Sequence, residues 1–218
     1  MKWCRVESGV RLRRLLAALL ILGGSWQVAA GGYIQAKAWL AQYLLQSAWQ
    51  TTRAGGERIR PWPWADTWSL ARLRVPRLAV DQVVLSGASG RTLAFGPGHL
   101  PGTALPGQAG NSVISGHRDT HFRFLRDLRP GDRLELTPAN GEGLMYAVVS
   151  AEVHDQSDLW LLEQGQTLLT LITCYPFDAL TPGGPERFVI RAIPVLGGGA
   201  IPPPPAAATS TGGRRVYL

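Results

Sequence analysis

Few side chains in this 218-residue chain are suited to chemistry, and among them are two cysteines and four histidines. Cys174 follows the run Thr167-Leu168-Leu169-Thr170-Leu171-Ile172-Thr173. That run is β-branched and leucine-rich, which suits a strand buried on both faces. Pro176, two residues later, cannot continue a central ladder. The thiol is therefore expected where a rigid strand opens into a loop, which holds a nucleophile still and leaves it reachable. The competing reading is a buried Cys acting as a small hydrophobe. Cys4 lies before an apolar segment of membrane type, so Cys174 is the one thiol expected in the exported part. It then has no partner for an internal disulfide, and no CxxC redox pair is present. The histidines lack metal-ligand spacing, and no metal or other cofactor is expected. A nucleophile is the reading left standing.

A cysteine nucleophile needs a proton carrier and a group that holds an oxyanion. His117 ends the run Asn111-Ser112-Val113-Ile114-Ser115-Gly116-His117, a small-residue strand with glycine just before the ring. Glycine there would let a substrate backbone approach closely. His121 lies in a charged, aromatic segment, His99 in a Gly-Pro-Gly loop and His154 near a strand end. For these three, a surface or hydrogen-bonded histidine is the expected role. Arg187 opens the segment Arg187-Phe188-Val189-Ile190-Arg191-Ala192. Alternation puts Phe188 and Ile190 on one face and Arg187 and Arg191 on the other. Arg187 is either ion-paired, with Glu186 for example, or a fixed cation beside the thiol, where its rigid fork of donors suits an oxyanion or a carbonyl. Arg191 is the fallback for that role.

The elements that must position these groups follow from charge and pattern. The formal charge of +7 sits at the ends: residues 64–196 carry 11 Lys/Arg against 13 Asp/Glu. A nucleic-acid binder needs a basic face on the folded part, so that class is set aside. Residues 1–14 are basic, and residues 15–36 are uncharged and long enough to span a bilayer. The basic cluster predicts a cytoplasmic N-terminus, with the rest exported. Val28-Ala29-Ala30 also has the spacing of a signal-peptide cleavage site, so a cleaved signal is the alternative to an anchor. Apolar residues from Tyr33 to Thr52 recur at helical spacing, predicting a helix that packs on the domain or lies at the membrane interface. The Pro61-Trp62-Pro63-Trp64 stretch predicts an extended path docking on the domain's flank.

Beyond Trp68 short apolar runs alternate with Pro-Gly and Gly-rich breaks. Strands are expected at 69–75, 82–85, 112–115, 133–137, 146–153, 167–173 and 188–194, with one helical turn over 158–163. Many short strands and few helices predict a small closed or partly closed β-barrel. The division expected is a cytoplasmic stretch 1–14, an anchor 15–36, a helix and linker 37–61, a barrel 62–196 and a disordered tail 197–218 rich in Gly and Pro.

Three segments carry a resemblance. Thr170-Leu171-Ile172-Thr173-Cys174 resembles the TLxTC signature of sortases, and residues 111–124, NSVISGHRDTHFRF, resemble the segment around their catalytic histidine. Arg187, at the start of the following strand, completes the pattern in the same order. PWPWADTW, GASGRTLAFGPGHL and TCYPFDA resemble the proteobacterial "marine" or class GN sortases. The resemblance implies an eight-stranded sortase β-barrel and a transpeptidase that cuts an LPxTG-like sorting signal between Thr and Gly. It implies Cys174 as nucleophile, His117 as general acid/base and Arg187 as stabiliser of the oxyanion or substrate. It also implies one exported target protein bearing that signal and an amine acceptor that the sequence does not identify. The expected location is the inner (plasma) membrane, single-pass, with the catalytic domain on the periplasmic side. A thiol protease that hydrolyses the same signal and an inactive membrane-bound binding module are the alternatives.

Overall fold

The computed structural model describes residues 3–181, 183–195 and 214–215. Its long helix is α1 (Trp3–Arg53), and a single turn, α2, covers Gly90–Leu93. The strands are β1 (Ser69–Val75), β2 (Val80–Ser86), β3 (Gly98–His99), β4 (Asn111–Ser115), β5 (Arg133–Pro138), β6 (Leu144–Asp155), β7 (Leu168–Cys174), β8 (Glu186–Pro194) and β9 (Arg214–Arg215). Alternation is plainest in β1, where Ser69, Ala71, Leu73 and Val75 are buried and the residues between them partly exposed. A 3-10 turn at Pro76–Leu78, closed by Ala79 at φ 51, joins β1 to antiparallel β2. Proline's fixed φ suits the first position of such a turn.

Eight strands close into a barrel in the order β5-β1-β2-β3-β4-β7-β8-β6, with β5 pairing to both β1 and β6. This is the closed eight-stranded barrel that the resemblance implies; the strand pattern alone predicts seven strands in a closed or partly closed barrel. β4 and β7 run parallel; β8 lies antiparallel to β7 and to β6. The barrel is filled by Leu73, Ile114, Phe122, Leu125, Leu134, Leu136, Leu169, Leu171, Phe188 and Ile190, each essentially inaccessible. A buried leucine or phenylalanine contributes about 1.5–3 kcal/mol relative to exposure, so these side chains dominate the fold's stability.

The chain divides into two compact units, 1–43 and 44–218. The two helical segments expected near the N-terminus run together as α1. No proline interrupts residues 15–53, and each glycine in that stretch costs only about 1 kcal/mol of helix propensity. In the first unit α1 presents Leu15, Leu16, Leu19, Leu20, Ile21 and Leu22 outward, and the helix is long and apolar enough to cross a membrane. Trp39 stacks on Tyr43 with ring centroids 6.0 Å apart. In the second unit, the last turns of α1 bury Leu45, Ala48 and Trp49. Leu45 and Trp49 cluster with Val83, Leu85, Trp62, Phe95 and Ala139. Arg53 caps this end by donating to the carbonyls of Pro138, Ala139 and Gly141, the last at 2.6 Å. Of the two tryptophans in the proline stretch, Trp62 packs edge-on to Phe95 at 4.8 Å and Trp64 stays exposed.

Two elements depart from the sequence expectation. β3 is a two-residue bridge inside the Gly-Pro-Gly loop, and it buries His99. Arg214 and Arg215, inside the stretch expected to be disordered, pair with Val153 and Glu152 of β6; the other residues of that tail lie outside the described ones.

His99 has a consequence for stability. Its Nε2 lies 2.8 Å from the Ala104 carbonyl oxygen and 3.1 Å from Thr103 Oγ1. Burial pushes its imidazole below the ordinary 6.5, against an upward pull from the Ala104 carbonyl. The unfolded chain therefore takes up the proton more readily than the folded one. Stability from this source is full above pH 6.5 and is lost as the pH falls below it. The His99→Gln chain, which keeps a donor for the carbonyl, is expected to lose less of its thermal midpoint between about pH 7 and about pH 5. An unchanged slope in thermal melts would assign the acid sensitivity to other groups.

Candidate active site

Cys174 is the last residue of β7 and is half-buried. Leu169 and Leu171 point into the core, so Thr170, Ile172 and Cys174 lie on the outer face. On β8, Phe188, Ile190 and Ala192 fill the core, and Arg187 and Arg191 face outward. The β7–β8 register sets Arg187 directly opposite Cys174, and Arg191 opposite Thr170. Directly opposed residues on one face hold their Cβ atoms roughly 4.5–5.5 Å apart.

The third strand is β4. Ser115 stands beside Ile172 in the parallel ladder. Past the strand end the tie continues: Gly116 N donates to the Ile172 carbonyl at 3.2 Å, and Thr173 Oγ1 donates to the Gly116 carbonyl at 2.8 Å. His117 comes next, two residues beyond Ser115 as Cys174 is two beyond Ile172, and its ring is exposed. The three residues picked from sequence thus sit at one end of three adjacent strands. The open approach expected over Gly116 is filled instead. A Cβ there would meet the buried Phe122 ring at 2.6 Å, so the glycine accommodates a core side chain and not substrate.

Arg187 is held from its own side of the barrel. Nη1 donates to the Gly184 and Glu186 carbonyls at 2.7 and 2.9 Å, and Nη2 to Gln156 Oε1 at 2.8 Å. The ion pair with Glu186 considered from sequence is a backbone contact instead. From Arg187 a groove of about 270 Å³ runs over the outer faces of β4 and β7, lined by Val113, Ser115, Ile172, Leu161 and Leu100, with Asp155 and Asp158 on its rim. Asn111 Nδ2 donates to the Leu161 carbonyl at 2.8 Å, while its Oδ1 accepts from Thr170 Oγ1 at 2.7 Å. Gln164 Oε1 accepts from the Ala104 and Asn111 amides. These bonds pin the segment after β6 as the groove's wall.

Two of the other histidines lie near this end: the β6–β8 register sets His154 opposite Arg187, and His121 interacts electrostatically with His117. His154 is buried on β6, with Glu152 Oε2 3.2 Å and Asp158 Oδ2 3.3 Å from its two nitrogens. His121 is half-buried; burial pushes its imidazole down, opposed by a bond to the Ala94 carbonyl. Arg191 is pushed down by burial, against Glu152 and Glu163. Among the described residues no group of three or more His, Cys, Asp or Glu is placed to hold a metal ion. Sequence reasoning missed Arg118, which is buried beside His117 and bonded to the loop after Cys174. Its only signal was a charged pair, Arg118-Asp119, directly after a buried strand.

Residues 73–195, the stretch that builds this barrel and its three converging strands, match the sortase domain. The chain belongs to the sortase family. A curated relative, sortase D of Bacillus subtilis (strain 168), is 33% identical over 120 residues, covering 54% of this chain and 60% of that protein. The chain thus spans less than two thirds of this sortase's length. Among solved structures, a Clostridium perfringens sortase D5 transpeptidase is 27% identical, with TM-score 0.52 over 59% of this chain and 79% of its own. Sortase C-1 from Actinomyces oris is 30% identical, with TM-score 0.52 over 58% of this chain and 71% of its own. A Clostridium perfringens sortase C with its C-terminal cell wall sorting motif, at 22% identity and TM-score 0.54, shares the fold over 74% of this chain and 90% of its own.

Proposed function

We propose that this sortase is a membrane-anchored cysteine transpeptidase acting on an LPxTG-like sorting signal. The observation that carries the reading is the opposition of Cys174 and Arg187 across β7 and β8, beside the parallel strand that ends at His117. The Cys174 thiolate attacks the Thr carbonyl carbon of the signal. Arg187 holds the oxyanion or the substrate carbonyl, as a fixed cation with several donors can. The Thr–Gly bond breaks as His117 gives its proton to the leaving Gly amine, and the acyl group stays on sulfur as a thioester. An incoming amine loses its proton to His117 and attacks the thioester, and the sulfur leaves as thiolate. The groove beside Arg187 is the seat for the signal's apolar side chains.

The outward-facing apolar helix supports an anchor in the inner membrane, and the basic residues before it support a cytoplasmic N-terminus with the barrel on the periplasmic side. The partner is then an exported protein with an LPxTG-like C-terminus; the acceptor is an amine, and nucleic acid has no part. Assignment to the class GN branch rests on the PWPWADTW, GASGRTLAFGPGHL and TCYPFDA segments. The test is product analysis of an LPxTG-type peptide with and without added amine. A new amide that forms only when amine is present supports the transpeptidase, whereas the hydrolysed acid alone in both tubes assigns a thiol protease.

A further inference from the structure

Arg118 is a charged side chain that the reaction above leaves without a task. It is only 6% exposed, and a buried guanidinium persists where its donors are met. Nε and Nη2 fork onto the Asp119 carboxylate at 2.8 and 3.0 Å. Nη1 donates to the Pro176 carbonyl at 2.7 Å, and Nη2 to the Ala179 carbonyl at 3.0 Å. Arg118 directly follows His117, and Pro176 and Ala179 belong to the loop directly after Cys174. One planar group therefore bonds the segment bearing the acid/base to the segment bearing the nucleophile. A second tie lies on the other side of the thiol, from Thr173 Oγ1 to the Gly116 carbonyl. Only Cys174 and Tyr175 lie between the two anchored positions.

We propose that Arg118 is a positioning residue for the Cys174–His117 pair, its guanidinium fork fixing the loop after the nucleophile against the turn that carries the histidine. A fork suits this task because two carbonyls and one carboxylate are met at fixed angles, which a lysine ammonium cannot reproduce. The same group sets a cation near the thiol. Its bond to Asp119, and then the charges of Asp119, Cys174 and Asp178, hold the guanidinium above its ordinary range, against desolvation. The charged and titratable groups at this end are Arg118, Asp119 and Asp178, with His117 and Arg123 beside Asp119, Arg187 opposite the thiol, and Asp155 and the buried His154 beside Arg187.

The inference rests on Cys174 being the nucleophile, and its test includes a measurement that needs no substrate. Full-length Arg118→Lys, Arg118→Gln and Asp119→Asn chains in detergent are compared with the parent for kcat, KM and the pH profile of iodoacetamide labelling at Cys174, read from the mass of its peptide. Arg118→Lys is expected to lower kcat roughly 100-fold with KM within about twofold, the pattern of misplaced reacting groups. Arg118→Gln is expected to do the same and to move the labelling profile to higher pH, because the thiolate loses a nearby cation. Asp119→Asn, altered at an exposed carboxylate, is expected to lower kcat about tenfold by freeing the fork. Parental kcat and an unmoved labelling profile in the folded arginine variants overturn the proposal. If thermal melts show that those variants do not fold, parental kcat in Asp119→Asn overturns it. Undiminished turnover in Cys174→Ala would instead sink the transpeptidase reading, and the Arg118→Gln labelling profile would still be read independently.

Discussion

Cys174→Ala chains are expected to form no acyl-enzyme and to turn over no sorting peptide. Removing a nucleophile costs on the order of 10⁴–10⁶ in rate, because the remaining groups can only polarise a bond that nothing attacks. Mass analysis of the peptide bearing residue 174 reads the outcome: the parent gains the acyl fragment and the variant gains nothing. The fold should be indifferent. Cys174 is half-buried on the outer face of β7, away from Leu169 and Leu171, so the thermal midpoint should move by no more than the equivalent of about 1 kcal/mol. A loss of turnover with a parental melt therefore isolates the chemistry from the scaffold. Acyl transfer that persisted in this variant would exclude the thiol from the reaction.

Arg187→Lys is expected to cost roughly 10²–10³ in kcat, the range seen when one oxyanion donor is lost. The charge survives in this variant and the fork does not. In the parent the guanidinium spends donors on Gly184, Glu186 and Gln156, and this fixes its plane while further donors remain on the same group. Lysine, with a single nitrogen on a flexible stem, cannot keep those anchors and also aim at a carbonyl oxygen. Kinetics on the LPxTG-type peptide should show kcat falling while KM stays near the parental value. A fall confined to KM would make Arg187 a substrate-binding group without a part in the transition state.

Much of the barrel was legible from the chain. The run 167–173 announced β7, one residue out of step with the observed Leu168–Cys174, because a leucine- and threonine-rich stretch closed by a proline has few other fates. Alternation placed Arg187 and Arg191 on the face away from Phe188 and Ile190, as found. What stayed hidden was tertiary. β3 is two residues of a Gly-Pro-Gly loop, made a strand only by neighbours distant in sequence, β2 and β4. The continuity of α1 was obscured by its paired glycines, which dilute hydropathy without breaking the helix. Gly116 looked like a substrate approach because no local rule reveals that the Phe122 ring returns to cover it. Arg118 drew no reading from the sequence, since its bonds to Pro176 and Ala179 join residues about sixty positions apart.

The closing turns of α1 carry a practical lesson for anyone trimming the apolar helix away to study the barrel in solution. Leu45 and Trp49 cover Val83 and Leu85 on the barrel's flank, and Arg53 closes three carbonyls near the end of β5. A shortened chain beginning at Leu44 retains that cover. One beginning at Trp62 bares a greasy patch around Val83, Leu85 and Phe95, and should melt earlier and clump in solution.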